Sequence, residues 1–198
     1  MPPNSKDRTR RKLQDAVVAE TVEHGIAAIS VAGIVKRARV SAGTVYVHFA
    51  DKDDMLRQVY LQLKSEFHDS VTRGRDQADS AALVREMWFG MFDFVRARPQ
   101  DFLFLEYAST AKLLLPEQQA VADGYAADIA ALLRRGVEDG TLAPLEDGLL
   151  SLLLVAPALH LARGAVIAGQ PITTETITRT FERVWLSIAN TQGSGQIT

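Results

Sequence analysis

Small, hydroxyl-bearing and aromatic side chains share one face of a short helix predicted to follow Ser41. This face consists of Ala42, Gly43, Thr44, Tyr46, Val47 and His48. The other face carries Val45 and Phe49, which are four residues apart and form a stripe expected to be buried. Nothing else in the chain is predicted to pack against the first face. Such a face suits a helix that lies in the major groove of DNA.

A helix-turn-helix arrangement would position this face. Ser30 and Ser41 are each suited to accept hydrogen bonds from the free N–H groups at the start of a helix. The first helix takes its apolar face from Ile34, Val35 and Ala38, and Val40 would fill the angle at the turn. A helical hairpin without any binding function would explain the same periodicity.

The residue string decides between these alternatives better than the periodicity does. Ser41-x-Gly43-Thr44-x-Tyr46-x-His48-Phe49-x-x-Lys52 resembles the helix-turn-helix signature of the TetR/AcrR family of bacterial transcriptional regulators. The specific resemblance covers roughly residues 8–60. It implies DNA contacts by Ser41, Gly43, Thr44, Tyr46, His48 and Lys52.

The resemblance also implies how these residues contact DNA. Gly43 would let the backbone approach a phosphate, Tyr46 and His48 would donate to phosphate oxygens, and Lys52 would add charge. The chain departs from the family pattern at three positions. Arg39 stands where a turn glycine is usual, and Ala42 replaces a longer polar side chain. Val47 offers only an apolar surface, which suits a thymine methyl group.

The charge distribution supports contact with phosphate at one end only. The whole chain carries a net charge of −2, but residues 1–50 hold eight basic and four acidic side chains. This end is therefore at +4, and the remaining residues are at −6. Arg10 and Arg11 belong to the basic end and are candidates for phosphate contact. A solvated basic segment is the alternative.

Composition argues against several other classes of protein. The chain has no cysteine, which excludes disulfides and thiolate metal sites and is consistent with the cytoplasm. The four histidines lie far apart, and no phosphate-binding glycine loop or nucleophilic serine motif is found. We therefore expect no enzyme activity, catalytic residue, metal or cofactor. The apolar run Leu149–Ala168 contains Pro157, His160 and Arg163, which favours a buried or interface helix over a membrane span.

The remaining periodicity predicts an all-α protein of about nine helices. Helices are expected at about 7–24, 52–73, 80–97, 101–112, 116–139, 145–168 and 174–190, besides the two short ones. Residues 1–6 are predicted to be a disordered arm and 191–198 a frayed tail. Residues 1–52 would form a three-helix DNA-binding domain, and 53–198 a helical effector-binding and dimerisation domain. The helix order also resembles the TetR family, whose members are all-α homodimers.

The last two predicted helices carry more apolar surface than one helix face needs, notably Leu149, Leu150, Leu152, Leu153, Leu154 and Val155. We predict that they pack against a second copy in a homodimer. Core burial is the alternative. A dimer would let each short reading helix contact one half of a palindromic site in double-stranded operator DNA.

Aromatic residues are dense in the middle of the chain. In this family such a region is a cavity for a small hydrophobic effector, neutral or cationic, and Glu106 could neutralise a cation. The candidate ligand-binding residues are Tyr60, Trp88, Phe89, Phe92, Phe102, Glu106, Tyr107, Tyr125 and His160. Core packing would account for these aromatic residues equally well.

The sequence thus predicts a ligand-responsive transcriptional repressor. The alternative is a structural or adaptor protein that binds DNA and has no effector.

Overall fold

The computed structural model describes residues 5–190, with side chains from Lys6 onward. This part of the chain folds into nine α-helices, and its only β pairing is an isolated bridge between Leu142 and Ala189. The helices are α1 (Ser5–His24), α2 (Val31–Ala38), α3 (Ala42–His48), α4 (Lys52–Val71), α5 (Ser80–Ala97), α6 (Pro99–Thr110), α7 (Pro116–Glu138), α8 (Asp147–Ala168) and α9 (Thr174–Ile188). The predicted all-α fold is confirmed. The predicted disordered arm is wrong for Ser5 and Lys6, which belong to α1; its other residues (1–4) and the whole predicted tail (191–198) lie outside the described residues.

Helix ends differ from the prediction where a local constraint takes over. α6 begins two residues early, at Pro99, because proline's fixed φ and missing N–H suit the first helical position. α9 ends two residues early because Ala189 is extended. The backbone there pairs with residues 141–143: the Ala143 N–H donates to the Ile188 carbonyl, and the Asn190 N–H donates to that of Thr141.

The chain divides into two compact units. The first unit comprises the residues up to Lys64 together with Arg98–Gln119, and the second comprises Ser65–Ala97 together with the residues from Ala120 onward. Both α4 and α7 therefore pass from one unit into the other. The functional boundary expected after residue 52 stays a prediction.

In the first unit, α1 packs against α2 and α6, and α2 packs against α3. Leu13 and Val17 of α1 are fully buried, as are Ile34 of α2 and Val45 of α3. An ion pair also joins α1 to α2, since Arg37 Nε donates to Glu20 Oε1 at 2.7 Å. These contacts hold the two short helices at a defined angle, although neither is long enough to be stable alone.

In the second unit, α5 is central and packs against α8 and α9, which also contact each other. Leu150 and Leu154 of α8, which were predicted to pack against a second copy, are instead fully buried within the chain, so core burial accounts for these two leucines. α5 approaches the C-terminal part of α4 at Gly90, where an added Cβ would lie 2.2 Å from the Ser70 carbonyl oxygen. Trp88 is fully buried, and its indole Nε1 donates to the Ile177 carbonyl at 3.1 Å. Its ring also contacts Phe92 and Phe181.

Candidate nucleic-acid interface

The turn between α2 and α3 forms without glycine. Ser30 caps α2 by accepting from the Gly33 N–H at 3.0 Å. Arg39 ends α2 in the left-handed conformation, with φ 55° and ψ 48°, and its N–H donates to the Val35 carbonyl. The backbone thus takes the shape that glycine would favour, at a steric cost of roughly 1 kcal/mol for a residue with a side chain.

Ser41 caps α3. Its Oγ accepts from the Thr44 N–H at 3.2 Å and lies 2.8 Å from Thr44 Oγ1. This pairing orients both hydroxyl groups at the start of the helix. An Oγ has two lone pairs and one hydrogen, so each hydroxyl retains hydrogen-bonding capacity.

The two faces of α3 differ sharply in exposure. Val45 is fully buried and Phe49, the C-terminal cap, is 3% exposed, so this side anchors α3 within the first unit. Tyr46 is 58% exposed and Val47 69%. Ala42 and Gly43 are also exposed, and Thr44 and His48 are half-buried. The unit does not cover the face that carries the polar and aromatic side chains.

Gly43 is not required by the fold of the first unit. A Cβ placed there would meet only Ser41 Oγ, at 3.9 Å, and the φ of Gly43 is compatible with other residues. Within a helix, alanine is favoured over glycine by about 1 kcal/mol. The glycine at this exposed position costs helix stability, and the described part of the first unit has no contact that requires it.

The start of α4 is capped by a reciprocal pair of aspartates. Asp51 Oδ1 accepts from the Asp54 N–H at 2.7 Å, and Asp54 Oδ2 accepts from the Ala50 N–H at 2.9 Å. The predicted capping pair thus forms, with the returning bond one residue earlier than in a standard capping box. Lys52 is half-buried at the first position of the helix.

Asp54 is ionised more readily than a free aspartate. Its Oδ2 also accepts from Gln58 Nε2 at 2.8 Å. The hydrogen bonds from Gln58 and from the Ala50 N–H lower the pKa of Asp54 below the usual 3.8, since they stabilise the charged form.

Arg10 and Arg11 are both exposed on α1, but they differ in their contacts. The Arg10 guanidinium donates to Gln58 Oε1 at 2.7 Å and lies 5.4 Å from the centroid of the Phe49 ring. Gln58 was not among the sequence candidates, because no spacing in the sequence relates positions 10 and 58. Arg11 has no hydrogen bond or ion pair to any residue within 5–190.

The candidate ligand-binding residues fall into both compact units. The first unit contains Tyr60, Phe102, Glu106 and Tyr107, and the second contains Trp88, Phe89, Phe92, Tyr125 and His160. In the first unit, burial and then the nearby Glu106 carboxylate raise the pKa of Tyr60, so these two groups lie within electrostatic reach. Phe102 is buried, and Tyr107 is 37% exposed.

In the second unit, the candidates lie in different environments. Trp88 and Phe92 are packed in the core. Tyr125 stacks on His68 with ring centroids 4.8 Å apart, while His160 is exposed on α8. A role in ligand binding stays a prediction for all of these residues. No group of three or more potential metal ligands occurs among the residues that the structure describes.

Comparison with known proteins covers both compact units. The family described as "Bacterial regulatory proteins, tetR family" matches residues 14–59, and "Tetracyclin repressor-like, C-terminal domain" matches residues 83–189. The second match spans more than half of the chain.

Individual relatives agree with these matches. An HTH-type transcriptional regulator of Haemophilus influenzae is 25% identical and aligns over 83% of this chain and 87% of its own length. The HTH-type transcriptional repressor SCO4008 of Streptomyces coelicolor is 27% identical over 83% of this chain and 81% of its own. The crystal structure of a TetR family transcription regulator from Marinobacter aquaeolei matches with a TM-score of 0.83 at 26% identity, covering 93% of this chain and 97% of that one. The capped helix-turn-helix, the all-α fold and these matches along both units agree, and the chain belongs to the TetR family of DNA-binding transcriptional regulators.

Proposed function

We propose that this regulator is a repressor that binds palindromic operator DNA as a homodimer and releases it when a small hydrophobic effector binds. The observation that carries the proposal is the bare face of α3, where Tyr46 and Val47 are more than half exposed while Val45 is fully buried. A helix that places a tyrosine and a valine in water gains from a partner that covers them. The family membership makes that partner DNA.

Each exposed group on α3 has a chemical role in this interface. Ser41, Thr44, Tyr46 and His48 donate hydrogen bonds to phosphate oxygens, and Gly43 lets the backbone approach the DNA closely. Val47 contacts a thymine methyl group, and Ala42 leaves room beside it. Lys52 and Arg11 add positive charge to the interface. Arg10 precedes Arg11 in α1.

The apolar surface of α8 and α9 supports a homodimer. An 18-residue window of α8 is apolar enough to cross a membrane, yet only 22% of it is buried within the chain. Leu152 and Ile167 of α8 and Leu186 of α9 are each at least 60% exposed. A second copy covers such a face by isologous packing, and the same symmetry matches a palindromic operator.

The first unit offers the better support for an effector site. Tyr107 is 37% exposed and supplies aromatic surface, and the Glu106 carboxylate acts electrostatically on the buried Tyr60 hydroxyl, whose pKa is raised first by burial and then by this charge. A lipophilic cation suits such a combination, because it gains both aromatic contact and a counter-charge. Trp88 already uses its indole N–H within the core, which makes its proposed contact with the ligand an apolar one.

The test begins with DNA. The full-length protein is used to enrich duplexes from a random-sequence library, and the selected duplex is footprinted. We expect two protected half-sites related by a palindrome. Protection without any two-fold symmetry would refute the proposal that a homodimer binds a palindromic operator.

The effector is tested on the same duplex. Tetraphenylphosphonium serves as the cationic probe, and tetraphenylsilane, which has the same tetrahedral arrangement of four phenyl groups, serves as the neutral probe. We expect the cation to release DNA, and Glu106→Gln to weaken its effect more than that of the neutral probe. A protein that keeps its DNA in the presence of both compounds would favour the alternative, a structural or adaptor DNA-binding protein.

A further inference from the structure

Arg10 lies in the first turns of α1, and its guanidinium contacts Phe49 and Gln58, which follow α3 in the sequence. Among residues 5–190, no other basic residue of these turns has a hydrogen bond, ion pair or ring contact to this part of the chain. Arg10 approaches both targets at once. One terminal nitrogen donates to Gln58 Oε1 at 2.7 Å, and the guanidinium carbon lies 5.4 Å from the centre of the Phe49 ring. Phe49 caps the C-terminus of α3 and is 3% exposed.

The hydrogen bonds continue from Gln58 to the backbone after α3. Gln58 Nε2 donates to Asp54 Oδ2 at 2.8 Å, and the same oxygen accepts from the Ala50 N–H at 2.9 Å. We call this series of bonds from Arg10 through Gln58 and Asp54 to Ala50 the Arg10 relay. Every member belongs to the first compact unit.

The relay and the ring contact act on the same end of α3. Ala50 directly follows Phe49, so one contact holds the ring of the cap and the other holds the next peptide group. A planar guanidinium can stack on a ring with its face and donate from its edge, whereas an ammonium cannot do both. α3 has seven residues, too few to hold its orientation by its own hydrogen bonds.

We propose that Arg10 is a positioning residue for DNA binding, which holds the C-terminal end of α3 through Phe49 and the Arg10 relay instead of neutralising a phosphate. The inference rests on α3 being the DNA-reading helix. It changes the role of Arg10 from the direct contact suggested by its charge. Arg11, which has no such partner among residues 5–190, keeps the phosphate role.

Salt dependence of DNA binding separates the two roles. A lost phosphate contact lowers the slope of log Kobs against log salt by about 1, while a lost positioning contact weakens binding without changing the slope. For Arg10→Met we expect about tenfold weaker binding to the selected duplex with the wild-type slope. Arg11→Met, the matched control, should lower the slope by about 1.

Two further variants test the mechanism. Gln58→Leu interrupts the relay without removing a charge, so it should weaken binding at an unchanged slope and be non-additive with Arg10→Met. Arg10→Lys keeps the charge and should not restore affinity. A reduced slope in Arg10→Met, together with rescue by Arg10→Lys, would identify Arg10 as a phosphate contact and overturn the proposal.

Amide hydrogen exchange gives a readout that needs no DNA. In Arg10→Met and Gln58→Leu we expect faster exchange at Ala50 and in the last turn of α3, and no change in Arg11→Met. Wild-type protection of Ala50 in both relay variants would also overturn the proposal. A wild-type protein that selects no duplex would count against the proposed function, while the exchange result would still decide whether Arg10 holds α3.

Discussion

At the scale of single residues, the proposed DNA interface around α3 contains side chains that the fold requires and side chains that it does not. Val45 and Phe49 are packed in the core, and Asp51 and Asp54 cap the start of α4. Tyr46, Val47 and Gly43 have no such task in the first unit. Residues without a structural task are those whose replacement should change binding while leaving stability intact.

Gly43→Ala tests this separation. We expect stability to stay equal or rise by up to about 1 kcal/mol, because alanine is the better helix former and its Cβ has room. DNA binding should weaken by at least about tenfold if the backbone lies against a phosphate. Urea denaturation and fluorescence anisotropy measure the two quantities.

The matched control for Gly43→Ala is Gly124→Ala. Gly124 lies within α7, and a Cβ there meets nothing within 4 Å. This change should raise stability in the same way without affecting DNA binding. Unchanged affinity in Gly43→Ala would contradict the close backbone approach.

Asp54 makes the stability of the helix-turn-helix end dependent on pH. Its pKa is lowered in the folded chain, so its contribution is present above the usual value of 3.8 and is lost as the pH falls through the lowered pKa. We expect the stability difference between the wild type and Asp54→Asn to be largest above about pH 5 and to shrink below about pH 4. Urea titrations across this range measure it, and a difference that stays constant with pH would exclude the role.

At the scale of elements, the turn between α2 and α3 shows how a chain can use a conformation that its residue does not favour. Arg39 adopts the left-handed region although it has a Cβ. The burial of Ile34 and Val45 on either side of the turn compensates for the local strain. The packed helices therefore determine the turn, more than its own residue does.

Arg39→Gly should stabilise the protein by about 0.5–1 kcal/mol. Glycine removes the steric cost of positive φ, and the greater freedom of the unfolded chain offsets part of the gain. Arg39→Val should destabilise by about 1 kcal/mol, since a β-branched residue tolerates this region poorly. The midpoints of urea denaturation at constant m-value give both numbers. A glycine variant less stable than the wild type would show that the Arg39 side chain itself contributes to packing.

At the scale of the whole molecule, α8 and α9 display apolar side chains that the chain itself leaves exposed. Leu152→Glu places a charge on the proposed dimer face, at a leucine that the chain itself leaves 60% exposed. We expect a monomer in sedimentation velocity at concentrations where the wild type is dimeric, with the dimer dissociation constant raised at least about 100-fold. Helix content should be unchanged because Leu152 is 60% exposed within the chain.

Val121→Glu is the control for this change. Val121 is 49% exposed on α7 and lies outside the proposed face. The Val121→Glu variant should remain dimeric and bind DNA with the affinity of the wild type. A dimeric Leu152→Glu would show that the copies meet elsewhere.

Features that depend on neighbouring residues along the chain could be predicted before the fold was known. The caps at Ser30 and Ser41 and the ends of helices at Gly25 and Gly140 depend on residues within about four positions, so their spacing is visible in the sequence. The motif of residues 41–52 is also local, and its resemblance to the TetR/AcrR signature indicated the family.

Contacts between residues that are distant along the chain became apparent from the folded protein alone. It joined Arg10 to Gln58, 48 residues away, and the Trp88 indole to the Ile177 carbonyl, 89 residues away. It also separated aromatic residues that are fully buried, such as Trp88, from partly exposed ones, such as Tyr107. Periodicity specifies the face on which a side chain lies but not what the fold brings against that face, because packing between helices depends on the whole chain at once.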